Sequence, residues 1–210
     1  NLERMGVTNA IVTNEDTARL AAAYPGQFDR ILVDAPCSGE GMFRKTPEAR
    51  DEWSENNVKI CAVRQAEILR EAWKTLRPGG LLIYSTCTFN RLENEGSLEG
   101  LLAEAGEEIV ESTAFDCPPA WGVVCGRVGP FRTFRFYPHR TRGEGFFAAV
   151  VRCPMAEAVS VCPSPAERFS RPPDAGSVRN CPVGSPNPSG CALRRWRMSI
   201  MRITNRSTRQ

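Results

Sequence analysis

The chain has a single histidine and no Cys-x-x-Cys pair among its nine cysteines. Because structural zinc sites draw cysteine and histidine ligands from short, fixed spacings, the sequence predicts no metal site. No apolar run reaches the length of about 18 residues that a membrane-spanning helix needs, and the first residues lack the basic and apolar regions of a signal peptide. The odd number of scattered cysteines indicates reduced thiols and a cytoplasmic protein.

Charge is unevenly distributed along the chain. The net charge is +3, but residues 155–210 hold nine Arg, no Lys and three acidic residues, whereas residues 1–154 hold 18 basic and 21 acidic ones. Overall charge is therefore weak evidence for a nucleic-acid partner. Proline is frequent after residue 153 and no periodic apolar face occurs there. We therefore expect residues 154–210 to be a disordered Pro/Arg-rich tail, or the product of a shifted reading frame.

Apolar runs and helical periodicities alternate through residues 1–153, which we expect to form one partial catalytic domain. The pattern predicts strands at residues 9–13, 28–34, 81–85, 108–111, 133–137 and 145–152, and helices at residues 15–23, 58–76 and 93–105. This alternation predicts an α/β fold with a mostly parallel sheet. The last two strands are expected to form an antiparallel pair.

Two cysteines follow the two most apolar strands. Cys37 lies in DAPCSG (residues 34–39), and Cys87 lies in YSTCT (residues 84–88). Because ligands bind at the carboxyl ends of parallel strands, we expect Asp34, Cys37 and Cys87 to line the mouth of one crevice. The other cysteines are interpreted as small buried hydrophobic residues.

Longer segments around these cysteines resemble a known family. DAPCSGEGMFRK (residues 34–45) and STCTFNRLENE (residues 85–95) resemble the two signature motifs of the Nol1/Nop2/Sun family of RNA cytosine-5 methyltransferases. The bacterial branch that modifies small-subunit ribosomal RNA is the most similar, and the resemblance covers residues 1–153. It implies a Rossmann-like class I fold, S-adenosyl-L-methionine as cofactor, and RNA, in particular small-subunit ribosomal RNA, as partner.

The same resemblance implies a chemistry for the two thiols. A thiolate that adds to cytosine C6 makes C5 nucleophilic enough to accept a methyl group. The family pattern gives this attack to Cys87 and assistance with product release to Cys37. Cytosine-5 DNA methyltransferases use the Pro-Cys thiol as nucleophile instead, so the presence of both thiols favours RNA.

The resemblance also implies roles for binding residues. Asp34 and Pro36 are expected beside the cofactor, with Asp34 near the target base. Asp16 matches the family position that contacts the adenine, although an N-cap is an equally good reading. Arg44 and Lys45 are candidates for RNA phosphates, with exposed loop charges as the alternative.

Two further features of the family pattern bear on the site. The resemblance places His139, the only histidine, in a turn that lines the site, but a structural role is favoured. The segment at residues 93–95 is expected to begin a helix that orients the Cys87 loop.

The chain departs from the family pattern in two ways. No glycine-rich cofactor loop occurs in a strand–turn–helix context, which predicts a fold incomplete on its N-terminal side and a chain that is inactive on its own. The family's RNA-binding C-terminal module is not recognisable. Two alternatives therefore stay open: a non-catalytic RNA-binding or ribosome-assembly protein, and a cytosine-5 DNA methyltransferase that uses Cys37.

Overall fold

The computed structural model describes residues 2–106 and 117–155. Its strands are β1 (Phe28–Asp34), β2 (Leu76–Thr86), β3 (Val124–Val128), β4 (Phe131–Phe136) and β5 (Phe146–Arg152). Its α-helices are α1 (Thr17–Ala23), α2 (Glu48–Glu52), α3 (Glu55–Thr75) and α4 (Glu95–Ala105), and short 3₁₀ turns lie at Glu40–Met42 and Pro119–Trp121. The strand expected at residues 108–111 and the tail from residue 156 lie outside the described residues.

The five strands form one sheet in the order β1-β2-β5-β4-β3. β1 and β2 are parallel, and the other three pairings are antiparallel. The α/β class is therefore confirmed, but the described sheet is mixed and not mostly parallel. Residues 137–145 join β4 to β5 and are too few for the crossover of a dozen or more residues that a parallel pair requires.

Helix α3 provides the crossover between the two parallel strands. It begins after Ser54, whose side chain caps the helix by accepting a hydrogen bond from the N–H of Asn57 at 3.1 Å. Its apolar stripe packs against the sheet, as the periodicity of residues 58–76 predicts. The helix ends at Thr75 and β2 begins at once, so the strand starts five residues earlier than the predicted residue 81.

The strand expected at residues 9–13 is not formed. Ile11 and Val12 are 67% and 62% exposed, so the β-branched side chains are not packed as they would be in a buried strand. β-branched composition favours a strand only where a neighbouring strand and a packed face accompany it. The helix that follows is confirmed at α1.

The two C-terminal strands pair as predicted, and the sequence pattern missed a third one beside them. β4 and β5 are antiparallel, and β3 pairs with β4 through a turn at Gly129, where φ is +52°. The residues of β3 are mostly exposed and lack alternation, but the Gly-Pro dipeptide that follows it was a usable turn signal.

One hydrophobic core lies between the sheet and helices α3 and α4. The fully buried rings of Tyr84 and Phe147 meet edge-on at its centre, with centroids 6.3 Å apart. In the described part of the chain, no helix is long and apolar enough to cross a membrane. The core fixes β1 beside β2, so the carboxyl ends of the two parallel strands lie together.

Candidate active site

Two thiols meet where β1 and β2 end. Asp34 pairs with Ser85 in the parallel ladder, so the two strands finish at the same level. Cys37 and Cys87 follow within three residues, and their Sγ atoms lie 3.2 Å apart. The structure therefore brings together the two cysteines that the sequence placed at one crevice.

The two thiols have unequal acidities. The hydrogen bond from Cys37 lowers the pKa of Cys87 below its ordinary value, whereas donating that hydrogen bond, together with burial, raises the pKa of Cys37 far above its own. The contact between the two sulfurs therefore favours ionisation of Cys87 over ionisation of Cys37. Cys61 on α3 is different, because burial raises its pKa to about 11 and keeps it a thiol.

A buried carboxylate connects the loops that carry the two thiols. Glu93 is fully buried, and its Oε2 accepts hydrogen bonds from the Ser38 N–H at 3.0 Å and from the Gln65 amide at 2.8 Å. The same amide donates to the carbonyl of Pro36 at 2.8 Å. These bonds join the Cys37 loop, α3 and the segment after Cys87 into one polar unit.

Asn94 forms hydrogen bonds to the residues on either side of Cys87. Its Oδ1 accepts a hydrogen bond from Thr86 Oγ1 at 2.7 Å, and its Nδ2 donates to the carbonyl of Thr88 at 3.0 Å. Helix α4 begins at the next residue, Glu95. The Asn94 side chain is hydrogen-bonded to the Cys87 loop and therefore makes no capping hydrogen bond to the helix. The prediction that a helix start near residues 93–95 orients the Cys87 loop is confirmed.

The loop after Cys37 packs directly on the loop after Cys87. The Gly41 N–H donates to the carbonyl of Cys87 at 2.8 Å, and its own carbonyl accepts from the Gly145 N–H at 3.1 Å. A Cβ at residue 41 would lie 2.5 Å from the Gly145 carbonyl oxygen, which is too close for any side chain. Glycine at this position therefore allows three backbone segments to meet beside the thiol pair.

Glu40 ties the same two loops by its side chain. Its Oε2 accepts a hydrogen bond from the Phe89 N–H at 3.0 Å, and its Oε1 accepts from Trp53 Nε1 at 3.2 Å. On the other side, Arg135 donates to the Phe89 carbonyl at 2.6 Å and forms an ion pair with Glu95. The backbone two residues beyond Cys87 is thus held from both directions.

The predicted cofactor residues occupy three different settings. Asp34 is exposed at the end of β1, where its Oδ1 accepts a hydrogen bond from Ser85 Oγ at 3.5 Å, and its charge opposes ionisation of Cys87. Pro36 is half-buried between Asp34 and the thiol pair. Asp16 is the N-cap of α1, with Oδ1 accepting from the Arg19 N–H at 2.8 Å. Its capping reading thus has direct geometric support.

The predicted RNA contacts lie on the exposed rim of the site. Arg44 and Lys45 are both exposed, and Arg44 donates to the carbonyl of Gly143 at 2.7 Å and pairs with Glu144 at 3.3 Å. This contact joins the rim to the loop between β4 and β5. His139 lies in that loop and is exposed, so the favoured structural role for it is not supported by burial.

Sequence reasoning missed the function of Gln65 and Glu40. Gln65 is fully buried on the apolar stripe of α3, where a polar residue requires a hydrogen-bond partner, and this was the available signal. Glu40 carried no such signal, because its partners depend on the folding of a loop. In residues 2–106 and 117–155, no group of three or more His, Cys, Asp or Glu is arranged to hold a metal ion.

Comparison with known proteins gives one family match. The model of the family described as 16S rRNA methyltransferase RsmB/F matches residues 1–152. The chain is similar to ribosomal RNA small subunit methyltransferase F of Serratia proteamaculans, with 40% identity over 152 residues that make up 72% of this chain and 31% of the relative. The corresponding Escherichia coli protein is 36% identical over 191 residues, which cover 88% of this chain and 39% of the relative. The chain thus spans about a third of the length of these relatives.

A solved structure gives the same picture for the fold. The chain is similar to NSun6 from Pyrococcus horikoshii, a structure determined with SFG, at a TM-score of 0.54 and 30% sequence identity. The match covers 72% of this chain and 36% of that chain. This likeness confirms the predicted Rossmann-like α/β fold.

Proposed function

This chain belongs to the 16S rRNA methyltransferase RsmB/F family, and we propose that the protein methylates carbon 5 of a cytosine in small-subunit ribosomal RNA. Both curated relatives named above carry small-subunit ribosomal RNA in their names. The observation that carries the proposal is the 3.2 Å contact between Cys37 and Cys87. It places two thiols in contact at the ends of two parallel strands, where one can act as nucleophile while the other donates a hydrogen bond to it.

Cys87 is the proposed nucleophile. Its lowered pKa gives it the larger thiolate fraction of the two at neutral pH. Addition of the thiolate to cytosine C6 forms an S–C6 bond and moves the electron pair of the C5–C6 double bond toward C5. After C5 has gained a methyl group, its proton passes to solvent. The electron pair of that C–H bond re-forms the C5–C6 double bond as the C6–S bond breaks and the Cys87 thiolate leaves, which restores the aromatic base.

Cys37 is the proposed assistant in product release. Its raised pKa keeps its proton on sulfur, and its Sγ lies 3.2 Å from that of Cys87, within reach of a hydrogen bond. A hydrogen bond to sulfur stabilises Cys87 as a thiolate, which is the form in which it must leave C6. Cys37 therefore lowers the barrier to elimination and is not required for attack.

S-adenosyl-L-methionine is the proposed methyl donor, and when bound it supplies an electrophilic methyl group on a sulfonium. The residues present fit the methionine end of such a molecule, because the exposed carboxylate of Asp34 lies at the end of β1. This carboxylate is close enough to Cys87 for its charge to raise the pKa of that thiol. Pro36 stiffens the turn between them. Asp16 is proposed for the adenine with the carboxylate oxygen that its capping bond does not use.

Arg44 and Lys45 are proposed as phosphate contacts, because they are exposed beside the loop that packs on Cys87.

We also propose a cytoplasmic location, supported by the free state of all six cysteines in the described residues. The non-catalytic RNA-binding alternative has no use for two thiols in contact, and the DNA alternative has no use for the second of them, Cys87.

Covalent trapping tests the proposed substrate. RNA containing 5-azacytidine and DNA containing 5-aza-2′-deoxycytidine would each be incubated with the chain joined to a glycine-rich cofactor segment of the kind found in the family pattern. The incubations would be run with and without S-adenosyl-L-methionine, and denaturant-resistant complexes would be quantified on a gel. We expect a denaturant-resistant adduct with the RNA and none with the DNA. An adduct with DNA alone would support the DNA methyltransferase alternative, and no adduct with either would support the non-catalytic one.

A further inference from the structure

Three aromatic rings form a column that leads from the Cys87 loop to solvent. The rings of Phe89 and Tyr137 have centroids 5.3 Å apart at an angle of 31°. Tyr137 and His139 are stacked, with centroids 5.3 Å apart at 29°. Phe89 is two residues beyond Cys87, so the column begins beside the candidate nucleophile and ends in an exposed imidazole.

The inner part of the column is rigidly supported. The backbone of Phe89 is held by Glu40 and Arg135, and its ring lies over Gly145 so closely that a Cβ there would be 2.1 Å from Phe89 Cζ. The carbonyl of Tyr137 accepts two backbone hydrogen bonds of 2.9 Å, which form the tight turn that carries His139. The orientation of the outer ring is therefore set by the fold.

The outer end of the column is exposed and lies in a loop that carries two exposed arginines. Tyr137 covers one face of the His139 ring, and the residue is exposed, which leaves the ring accessible from solvent. The exposed basic residues of this rim are Arg44, Lys45, Arg140 and Arg142. Glu144 is the acidic residue of the same loop, and its carboxylate is already paired with Arg44.

We propose that His139 is a stacking platform for the base of an unpaired nucleotide that flanks the target cytosine; this rests on the proposed function. Unpaired bases of RNA stack on aromatic side chains, including histidine, while basic residues hold the adjoining phosphates. Tyr137 stacks on the His139 ring from one side, and the exposed residue leaves room for a second ring on the other. The column therefore presents one preset aromatic face at the basic rim, beside the loop that holds the nucleophile.

Equilibrium binding to single-abasic RNAs tests this platform. The probe is a short, fluorescein-labelled, uridine-rich RNA with one central cytidine, and matched RNAs lack the base at one position on either side of the cytidine. Fluorescence anisotropy would give Kd for the full chain, for His139→Ala, for His139→Phe and for Ile60→Ala. Ile60 is the matched control because it is 57% exposed on α3 and lies outside the column.

We expect the unchanged protein to lose about tenfold or more in affinity when one particular flanking base is missing. His139→Ala should bind the intact RNA with that weaker affinity and no longer respond to the missing base, whereas His139→Phe and Ile60→Ala should retain the response. The inference is overturned if His139→Ala still discriminates, or if no abasic position weakens binding. Absence of any RNA binding by the unchanged protein would overturn the proposed function as well.

Discussion

At the scale of single residues, the acidity of Cys87 depends on its neighbour. Cys37→Ala removes the hydrogen bond that lowers the Cys87 pKa, so that pKa should rise toward its ordinary value. Iodoacetamide reacts with the thiolate, and its rate at Cys87 should therefore fall at neutral pH and recover only as pH is raised. Mass spectrometry of the alkylated peptide across a pH series measures this, with Cys61→Ala as control. An unchanged pH profile would contradict the claim that the contact with Cys37 lowers the pKa of Cys87.

The close approach at Gly41 gives a second prediction at this scale. Gly41→Ala places a Cβ against two backbone carbonyls, at 2.5 and 2.8 Å, and should destabilise the fold by about 1–3 kcal/mol while displacing the Cys87 loop. Gly100→Ala on α4 is the control, because nothing lies within 4 Å of its added Cβ, and it should stabilise the helix by about 0.5–1 kcal/mol. Urea unfolding measures both. Equal changes in the free energy of unfolding for the two variants would show that the backbone around residue 41 shifts easily to admit a Cβ.

The residues of the site differed in how far the sequence could predict them. The nearness of Asp34, Cys37 and Cys87 to one another could be predicted, because the ends of two parallel neighbouring strands must lie together. Glu40 and Gln65 were missed, because their partners are distant in sequence and depend on how loops pack. Such contacts arise only in the tertiary structure, so a local sequence pattern cannot predict which residues form them.

At the scale of secondary-structure elements, Glu93 connects the loop after β1 to α3 and to the start of α4. Glu93→Ala leaves the Ser38 N–H and the Gln65 amide buried without their acceptor, and each loss costs about 1–3 kcal/mol. The free energy of unfolding should fall accordingly in urea titrations. Glu99→Ala changes an exposed carboxylate on α4 and should have little effect. A Glu93→Ala protein as stable as Glu99→Ala would mean that the network does not hold these elements.

The elements themselves were predicted where burial and pattern agree. β1 and α3 have the apolar run and the helical stripe of buried elements, and both were predicted within a few residues. The segment at residues 9–13 has the composition of a strand but not the burial, and β3 has neither alternation nor burial. Both errors have one cause. Composition indicates whether a segment suits a buried, paired strand, but whether the segment is buried and paired depends on the rest of the fold.

At the scale of the whole molecule, stability depends on the core shared by the sheet and the two long helices. Phe147 is fully buried and its neighbour Phe146 is 38% exposed, so this pair separates core packing from loss of an aromatic ring. Phe147→Ala should cost about 3–5 kcal/mol in free energy of unfolding, and Phe146→Ala considerably less. Chemical denaturation followed by circular dichroism measures both values. Similar costs for the two would contradict a core centred on β2 and β5.

Sheet topology was the feature of the whole molecule that the sequence predicted least well. Alternating strands and helices favoured a mostly parallel sheet, and the parallel pair β1–β2 is where the site forms. β3, β4 and β5 follow one another through short connections, which permit only antiparallel pairing among them, and this brings β5 antiparallel beside β2. The class of the fold thus follows from pattern, whereas strand direction follows from loop length.

The central claim is that Cys87, and not Cys37, attacks the base. The most direct measurement is the site of attachment of 5-azacytidine RNA, determined by protease digestion and mass spectrometry of the trapped adduct. We expect an adduct on Cys87 that is lost in Cys87→Ala and retained in Cys37→Ala and in the control Cys61→Ala. An adduct attached to Cys37, or one that persists in Cys87→Ala, would contradict it.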